Sequence, residues 1–376
     1  MPKIRALVVD DSVVIRRLVT DVLTGDPDIE VAGVAANGRI ALDKITQINP
    51  DVITLDVEMP EMDGLQTLAA LRKTHPRLPV IMFSTLTERG GLTTLEALSL
   101  GASDYVTKPA NVGSAAAGMA RVREELIPRI KALCGGAWAS RVKVPAAIPG
   151  SVRRAPVTPN VSLPDRRVEI VAIGASTGGP NALAELIPQI PGDFPVPIVI
   201  VQHMPPIFTK LLAERLSAKS AIEVHEGEAG RDLTAANAWI APGDYHMVLE
   251  KSRPRSRIDL NQDPPENSCR PSVDVLFRAV ARSHGASVLG VILTGMGQDG
   301  VRGCEHIREA GGQIIAQDEA SSVVWGMPGF VARAGLADQV LPLEQIAGEI
   351  VRRVLRGRGK SVGMKHDASK HGHVGS

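Results

Sequence analysis

Short runs of apolar, mostly β-branched residues alternate with amphipathic stretches along the first third of the chain. The amphipathic stretches, such as Ser12 to Leu23 and Gly64 to Lys73, place apolar residues at helical spacing. The strand-like runs are Ile4 to Val9, Ile29 to Val34, Asp51 to Leu55, Pro79 to Phe83 and Ser103 to Val106. Strands that alternate with helices predict a doubly wound, five-stranded parallel α/β domain, which a helix at Ser114 to Leu133 closes.

A second alternation of strands and helices begins near residue 168 and predicts a larger, mostly parallel α/β domain. Its middle, Ile222 to Leu260, is richer in strand-like sequence and is broken at Asn237, at Pro242-Gly243-Asp244 and at Arg253-Pro254. The clearest strand-like runs are Val168 to Ile173, Ile198 to Val201, Ser287 to Leu293 and Gln313 to Ala316.

These patterns predict two domains, residues 1–134 and 165–356, joined by a Pro- and Arg-containing linker at 135–164. The basic residues of the linker either grip an acidic partner or keep the linker solvated and extended. Residues 357–376 have no apolar periodicity and predict a disordered tail. Three histidines in that tail form either a weak metal-binding tract or part of a flexible terminus: His366, His371 and His373.

Composition narrows the classes of partner. The 376 residues carry a formal charge of +1, which gives no strong electrostatic case for nucleic acid or anionic membrane as a partner. The chain has no apolar run long enough to span a bilayer, and it starts directly with a strand-like run, unlike a signal peptide. Cys134, Cys269 and Cys304 have no metal-ligand spacing, so we interpret them as buried or incidental thiols in a reducing compartment. The sequence therefore predicts a soluble cytoplasmic protein.

A glycine-rich turn, Gly174-Ala175-Ser176-Thr177-Gly178-Gly179, directly follows the strand-like run at Val168. Such a strand–turn–helix presents the serine hydroxyl at the tip of a tight bend, where Gly174 and Gly178 suit positions that tolerate little bulk. The backbone N–H groups that open the helix could stabilise an oxyanion there. A phosphate-binding loop or a plain connection is the alternative interpretation of the turn.

Two further residues share the placement of Ser176 at the end of a strand. His203 lies in Gln202-His203-Met204-Pro205, and Asp299 follows the run that ends at Leu293. Carboxyl ends of parallel strands meet at one edge, and a serine becomes nucleophilic when an acid-oriented imidazole takes its proton. We therefore predict a Ser176–His203–Asp299 triad. Its chain order differs from that of the α/β-hydrolases, in which the acid precedes the histidine.

Polar side chains also cluster at the strand ends of the first domain. Asp10 and Asp11 follow the first strand, Asp56 follows the third, Ser84 the fourth and Lys108 the fifth. Carboxylates that share a small pocket need a compensating cation, for which Mg²⁺ is the usual solution. Helix capping could explain single acids but does not explain the whole set. The cluster predicts a site where a carboxylate accepts a phosphoryl group.

The first domain resembles the receiver domain of bacterial two-component response regulators. The resemblance rests on Asp10-Asp11-Ser12, on the segment from Leu55 to Gly64, on Phe83-Ser84 and on Lys108-Pro109. It implies that a histidine kinase phosphorylates Asp56. It also implies that Asp11, Asp56 and the backbone carbonyl of Glu58 hold Mg²⁺ with help from Asp10, and that Ser84 and Lys108 sense the phosphate. Tyr105 is either an aromatic switch or a packing residue.

The second domain resembles the chemotaxis protein-glutamate methylesterase family, CheB. The resemblance rests on five motifs: Ile173 to Pro180, Gln202 to Pro205, Ala241-Pro242-Gly243, Leu293 to Gly300 and Gly326-Met327-Pro328-Gly329. It implies hydrolysis of glutamyl γ-methyl esters on cytoplasmic helices of chemoreceptors, together with deamidation of receptor glutamines. The esterase site would contain no cofactor, and the receiver would cover the esterase cleft until phosphorylation weakens that contact.

The resemblance also implies a role for each site residue. Ser176 would attack the ester, His203 would act as base and Asp299 would orient the imidazole. The loops at Thr177 and Met296 would supply oxyanion donors. Arg270 either contacts the acidic receptor helix or has a surface or helix-capping role.

Three other functions compete with this interpretation. A phosphorylation-controlled adaptor would bind receptors without esterase activity, a DNA-binding output domain would need a helix-turn-helix motif, and a small-ester hydrolase would not need receptors.

Overall fold

The computed structural model describes residues 3–109, 115–135, 167–251, 256–356 and 358. Its strands are β1 (Ile4–Val9), β2 (Ile29–Ala35), β3 (Val52–Asp56), β4 (Val80–Ser84), β5 (Asp104–Thr107), β6 (Ile170–Ala175), β7 (Ile198–Gln202), β8 (Glu223–Glu226), β9 (Asn237–Ile240), β10 (His246–Lys251), β11 (Ser256–Asn261), β12 (Val288–Ile292), β13 (Gln313–Gln317) and β14 (Gln339–Leu341). Its α-helices are α1 (Val13–Thr24), α2 (Gly38–Ile48), α3 (Gly64–Thr74), α4 (Glu88–Ser99), α5 (Ala115–Cys134), α6 (Gly179–Leu186), α7 (Phe208–Ser217), α8 (Val273–His284), α9 (Val301–Glu309), α10 (Met327–Arg333) and α11 (Leu343–Leu355).

The N-terminal domain is built on a parallel sheet of five strands in the order β2-β1-β3-β4-β5. Every residue of β3 and β4 is buried, as expected for central strands that helices cover on both faces. One face packs against apolar residues of α1 and α5, and the other packs against those of α2, α3 and α4. The predicted doubly wound, five-stranded domain is confirmed.

Capping residues in the sequence define where the helices after β1 and β3 begin. Ser12 accepts a hydrogen bond from the Ile15 amide and thereby caps α1 immediately after the two aspartates that follow β1. Asp63 and Gln66 form a reciprocal capping box at the start of α3. These caps fix where the loops after β1 and β3 end.

The C-terminal domain contains a parallel sheet of seven strands in the order β14-β13-β12-β6-β7-β9-β8. The first strand of this domain, β6, lies in the middle of the sheet. The next strand, β7, pairs on one side of it, and the chain later returns to place β12 on the other side. The strand order therefore reverses at β6, where α/β proteins place their ligands. The predicted larger parallel domain is confirmed. The strands β10 and β11 form a separate antiparallel pair.

Two details of this domain differ from the sequence prediction. Asn237 does not interrupt the sheet, because it is the first residue of β9. The chain turns one residue earlier, at Ala236, which has a φ of 59°. The edge strand β14 was not predicted, because three residues with intermediate or exposed side chains carry little periodic signal.

The two domains pack against each other through α4 and β5 of the first and through α6 and α7 of the second. The ring of Tyr105 stacks on Phe208 with their centroids 5.1 Å apart and their planes 11° apart. The Asn181 side chain donates a hydrogen bond of 2.8 Å to the Leu98 carbonyl. One continuous apolar cluster includes buried residues of both domains.

None of the helices among the described residues combines the length and the apolar character needed to cross a bilayer. Apart from Gly135 and Arg358, the predicted linker and the predicted tail lie outside the described residues. The same holds for the predicted break at Arg253-Pro254 and for the predicted helix start at Ser114.

Candidate active site and acidic cluster

Ser176 directly follows β6, in a turn where close packing requires glycine two residues before and two residues after the serine. A Cβ atom on Gly174 would lie 2.4 Å from the Val273 side chain. Gly178 has a φ of 78°, and a Cβ there would lie 2.6 Å from Val323. The backbone at these positions therefore cannot carry a larger residue without rearrangement, which agrees with the steric interpretation of the motif. Ser176 itself is partly exposed in a loop whose neighbours are buried.

The strand register brings the three predicted triad residues to neighbouring strand ends. Ala175 of β6 lies opposite Gln202 of β7, so Ser176 and His203 leave the sheet side by side. Gly174 of β6 lies opposite Ile292 of β12, whose following loop contains Asp299. The Asp299 carboxylate accepts a hydrogen bond of 2.8 Å from His203 Nε2. The acid and the imidazole are therefore in direct contact, and the serine occupies the next strand end.

The Asp299 carboxylate lies at the N-terminus of α8, where several groups donate hydrogen bonds to it. The backbone amides of Val273 and Asp274 lie 2.7 and 3.0 Å from it, and the Ser272 hydroxyl lies at 2.9 Å. Burial alone would raise the pKa of Asp299, but the hydrogen bonds from His203 and from the backbone lower it to about 2. With a pKa this low, Asp299 is ionised at neutral pH, and its hydrogen bond holds Nε2 of the His203 imidazole.

The second nitrogen of His203 faces a residue that the sequence interpretation treated as incidental. Cys269 Sγ lies 3.5 Å from His203 Nδ1, and among the described residues this thiol, not the Ser176 hydroxyl, is the hydrogen-bond partner of Nδ1. Burial would lower the pKa of His203, but the adjacent Cys269 sulfur and the Asp299 carboxylate raise it above its ordinary value. No spacing pattern could have identified Cys269, because it lies on the loop before α8.

The loop that follows β12 packs directly against Ser176. A Cβ atom on Gly295 would lie 2.8 Å from Ser176 Cβ, so only glycine permits this approach. Within the described ranges, the backbone N–H groups of Thr177 and Met296 have no hydrogen-bond acceptor. Two free donors thus border the serine, which is the chemistry that a developing oxyanion requires.

The side chain of Thr177 connects the serine turn to the N-terminal domain. Its hydroxyl donates a hydrogen bond of 2.7 Å to the Asp104 carboxylate at the start of β5. The same carboxylate accepts a hydrogen bond of 3.1 Å from Arg129 of α5. The residue next to Ser176 is therefore held by a buried, charge-assisted contact across the domain interface.

At the carboxyl edge of the N-terminal sheet, three carboxylates converge as predicted. Ligand atoms of Asp10, Asp11 and Asp56 all lie within 4.8 Å of one another. The Lys108 ammonium lies 2.9 Å from Asp10 Oδ2 and 2.7 Å from Asp56 Oδ2. Burial and the charge of Asp10 raise the pKa of Asp56 to about 6, although Lys108 acts in the opposite direction. A carboxylate set with excess negative charge fits a hard divalent cation such as Mg²⁺.

The remaining residues predicted for this cluster lie around it. Ser84 ends β4, is buried, and donates a hydrogen bond of 3.1 Å to the Gly90 carbonyl of α4. The Glu58 side chain is exposed and pairs with Arg89 at 3.5 Å. Tyr105 is buried against Phe208 in the domain interface. The roles predicted for the Ser84 hydroxyl and the Glu58 carbonyl remain predictions.

The guanidinium of Arg270 forms hydrogen bonds within the C-terminal domain. It donates hydrogen bonds of 2.6 and 3.0 Å to the Asp244 carboxylate, and further bonds to the carbonyls of Gln262 and Asp263. These contacts tie the loop before α8 to the loop between β9 and β10. The predicted contact of Arg270 with a receptor helix remains a prediction.

Sequence comparisons match both domains to known families. The model of the CheB methylesterase family matches residues 171–350, and the model of the response regulator receiver domain matches residues 6–117. A protein-glutamate methylesterase/protein-glutamine glutaminase of Trichodesmium erythraeum is 55% identical over 354 residues, covering 94% of this chain and 100% of the relative. A protein of the same name from a Nocardioides species is 52% identical, covering 95% of this chain and 97% of the relative. The crystal structure of the Thermotoga maritima CheB methylesterase catalytic domain is 42% identical, covering 49% of this chain and 98% of that chain, with a TM-score of 0.49.

Proposed function

The chain belongs to the CheB family of protein-glutamate methylesterases with an N-terminal receiver domain, and we propose how its residues carry out and regulate that reaction. We assign residues 1–134 to the receiver, 135–164 to a linker and 165–356 to the esterase. The proposed substrates are γ-methyl esters of glutamate side chains on the cytoplasmic helices of methylated chemoreceptors, and glutamine side chains on the same helices. This substrate assignment places the enzyme in the cytoplasm, where it contributes to adaptation in chemotaxis.

In the proposed first half-reaction, Ser176 Oγ attacks the ester carbonyl while its proton passes to Nδ1 of His203. Nδ1 would take this role after exchanging its contact with Cys269 Sγ, at 3.5 Å, for the serine hydroxyl, because Nε2 is hydrogen-bonded to Asp299 at 2.8 Å. The tetrahedral oxyanion would be stabilised by the free backbone N–H groups of Thr177 and Met296. Its collapse breaks the C–O bond to the methoxy group, which leaves as methanol with the proton from His203.

The second half-reaction regenerates the serine. Water attacks the acyl-enzyme, its proton passes to His203, and the Ser176–acyl bond breaks as the serine takes the proton back. The product is a free glutamate side chain. A glutamine substrate would follow the same route and release ammonia in the first half-reaction. Asp299 stays ionised throughout, because its pKa of about 2 lies far below neutral pH.

For the receiver, we assign Asp56 as the residue that a chemotaxis histidine kinase phosphorylates. Asp10, Asp11 and Asp56 would hold Mg²⁺, with the Glu58 carbonyl as a further ligand. When bound, the ion supplies charge neutralisation for the phosphoryl oxygens. Lys108 would pair with those oxygens once it gives up its contact of 2.7 Å with Asp56. Ser84 would donate its hydroxyl to the same group.

The docked arrangement of the two domains is, in this proposal, the inhibited state. The contact between Asp104 and Thr177 holds the residue next to Ser176, and the Tyr105–Phe208 stack holds β5 against α7. Phosphorylation would draw Ser84 and Lys108 toward the phosphate and thereby move the ends of β4 and β5. This movement would loosen the interface and open the serine to a receptor helix.

The observation that carries the proposal is the hydrogen bond of 2.8 Å between Asp299 and His203, beside the strand end that carries Ser176. The direct test is methanol release from methylated chemoreceptor by the full-length protein, with and without a phosphodonor. The wild type is expected to release methanol faster with phosphodonor. Ser176→Ala is expected to lose at least about a thousandfold of the rate. Asp56→Asn is expected to keep the basal rate and to lose the stimulation.

A matched control is Ser283→Ala, because this hydroxyl bonds to groups of its own helix, α8: the carbonyls of Ala279 and Val280 and the neighbouring His284 ring. Methanol release that survives in Ser176→Ala would refute the nucleophile assignment, and stimulation that survives in Asp56→Asn would refute the phosphoacceptor assignment. A protein that binds receptor but releases no methanol would instead be an adaptor without significant esterase activity.

A further inference from the structure

The imidazole of His203 is bounded on its two sides by different kinds of group. Nε2 contacts the Asp299 carboxylate at 2.8 Å, and Nδ1 contacts the Cys269 sulfur at 3.5 Å. The proposed esterase reaction needs the carboxylate but makes no use of the thiol. A Cys–His pair that faces a partly exposed site is a recognised donor set for soft and borderline divalent cations.

The separation of the two donor atoms matches a specific coordination geometry. In tetrahedral sites Zn–S distances are about 2.3 Å and Zn–N distances about 2.0–2.1 Å, which places the two donors about 3.5 Å apart. The observed separation of Sγ and Nδ1 is 3.5 Å. An ion could therefore bind between Cys269 and His203 with little movement of either side chain.

The surroundings of the pair favour the same ion. A metal-bound histidine commonly donates its other ring N–H to a carboxylate, and Asp299 already accepts such a bond from Nε2. The residues are also open to water for the remaining coordination positions, since the side chain of His203 is 13% exposed and Cys269 is partly exposed. Sγ, the imidazole nitrogen and the Asp299 oxygen lie within 4.8 Å of one another.

We propose that Cys269 and His203 form a binding site for Zn²⁺ that reversibly inhibits the esterase. Binding forms one Zn–S and one Zn–N bond, and it releases to water the thiol proton and, where the imidazole is protonated, the Nδ1 proton as well. The lone pair of Nδ1 is then bonded to the metal and cannot accept the proton of Ser176. The inhibition rests on the proposed function, whereas the binding does not.

The binding is tested with Co²⁺ as a spectroscopic substitute for Zn²⁺ on the full-length protein. Excess Mg²⁺ is present throughout to occupy the receiver cluster. The wild type is expected to develop a thiolate-to-cobalt charge-transfer absorption that Zn²⁺ abolishes. Cys269→Ser and Cys269→Ala are expected to lack it. Cys134→Ser is the matched control, because its partly exposed sulfur lies near the Asp51 carbonyl, in the N-terminal domain.

The inhibition is tested by methanol release, with each variant compared with its own rate in the presence of a chelator. The Zn²⁺ concentration that halves the rate is expected to rise at least about tenfold in both Cys269 variants, because one of two protein ligands is lost. It should stay unchanged in Cys134→Ser.

A charge-transfer band that persists in both Cys269 variants would overturn the proposal, as would unchanged Zn²⁺ sensitivity. Metal bound by other histidines gives no thiolate band and does not depend on Cys269. If the wild type released no methanol at all, the proposed function would fail, while the cobalt spectrum would still decide the metal site.

Discussion

Asp56 ends a strand of the first domain and Asp299 lies in the loop after a strand of the second, yet their surroundings have opposite effects on their pKa values. Each is a buried carboxylate at the carboxyl edge of a parallel sheet. Burial raises the pKa of Asp56 to about 6, whereas hydrogen bonds lower that of Asp299 to about 2. The placement of an acid at a strand end therefore does not determine its chemistry. The donors around it do.

The difference follows from what each carboxylate contacts. Asp299 receives backbone amides at the start of α8, the Ser272 hydroxyl and the imidazole of His203. Asp56 shares a single ammonium, that of Lys108, with a second carboxylate, Asp10. The first arrangement keeps a fixed negative charge next to a base. The second has more negative charge than its own cation neutralises, which suits the role proposed for Asp56 as the phosphoryl acceptor beside Mg²⁺.

The largest effect is expected from removing the fixed charge of the esterase site. Asp299→Asn should lower kcat/KM for methanol release by about three to four orders of magnitude, because the imidazole loses the group that sets its tautomer. Asp193→Asn, at an exposed position of the same domain, should be unaffected. Activity within tenfold of wild type in a folded Asp299→Asn protein would show that this carboxylate does not orient His203.

The same pair of aspartates should have opposite effects on stability at pH 7. Because the folded pKa of Asp56 is raised, its ionised form destabilises the fold above pH 6, and this penalty disappears as the pH falls toward 4. Asp56→Asn should therefore raise the free energy of unfolding by about 1–3 kcal/mol at pH 7 without Mg²⁺. The stability that Asp299 contributes is present above pH 4 and is lost as the pH falls toward 2, so Asp299→Asn should destabilise the fold.

Urea unfolding of both variants at pH 7 and at pH 4.5 measures these effects, with Asp43→Asn as an exposed control. Equal destabilisation by both substitutions at pH 7 would contradict the contrast between the two sites.

The sequence alone was sufficient to predict the strand ends and the residues placed on them. Ser176, His203 and Asp299 could be found because each closely follows a run of buried apolar residues, and parallel strands bring such positions together. The same reasoning found Asp56 and Lys108. These predictions depend on periodicity and on topology, and both can be read locally along the chain.

The contacts made by loops and by the domain interface could not be predicted in this way. Cys269 lies 66 residues from His203 in sequence, and only the packing of the α8 N-terminus against Asp299 brings the thiol to the imidazole. The contact between Thr177 and Asp104 spans 73 residues and depends on how the two domains dock. Asn237 was misinterpreted because asparagine is common in turns, whereas here the turn lies at Ala236.

The acid–imidazole pair also predicts a pH dependence for the esterase. The raised pKa of His203 means that the imidazole is largely protonated at a pH where an ordinary histidine, with a pKa of about 6.5, is already neutral. Because only the neutral form accepts the serine proton, methanol release should rise by about tenfold per pH unit below that pKa. The rate should therefore still be rising above pH 7.

This profile is measured on methylated receptor in the presence of a chelator, with Ser176→Ala as the blank for spontaneous ester hydrolysis. His306→Gln, an exposed histidine on α9, should leave the profile unchanged. A plateau reached below pH 7 would show that His203 has an ordinary or lowered pKa in the working enzyme.

The smallest effect is expected at the interface that connects the two strand-end clusters. Asn181→Ala removes the hydrogen bond of 2.8 Å from α6 to the Leu98 carbonyl of the receiver. A hydrogen bond of this kind contributes about 1 kcal/mol, so its loss should shift the docked state toward the open one and raise basal methanol release by up to about fivefold. Gln189→Ala, which removes an exposed side chain bonded only within its own segment, is the matched control. The increase should persist in the Asp56→Asn background, because it bypasses phosphorylation. An unchanged basal rate, together with normal stimulation by phosphodonor, would mean that docking at α6 does not limit access to Ser176.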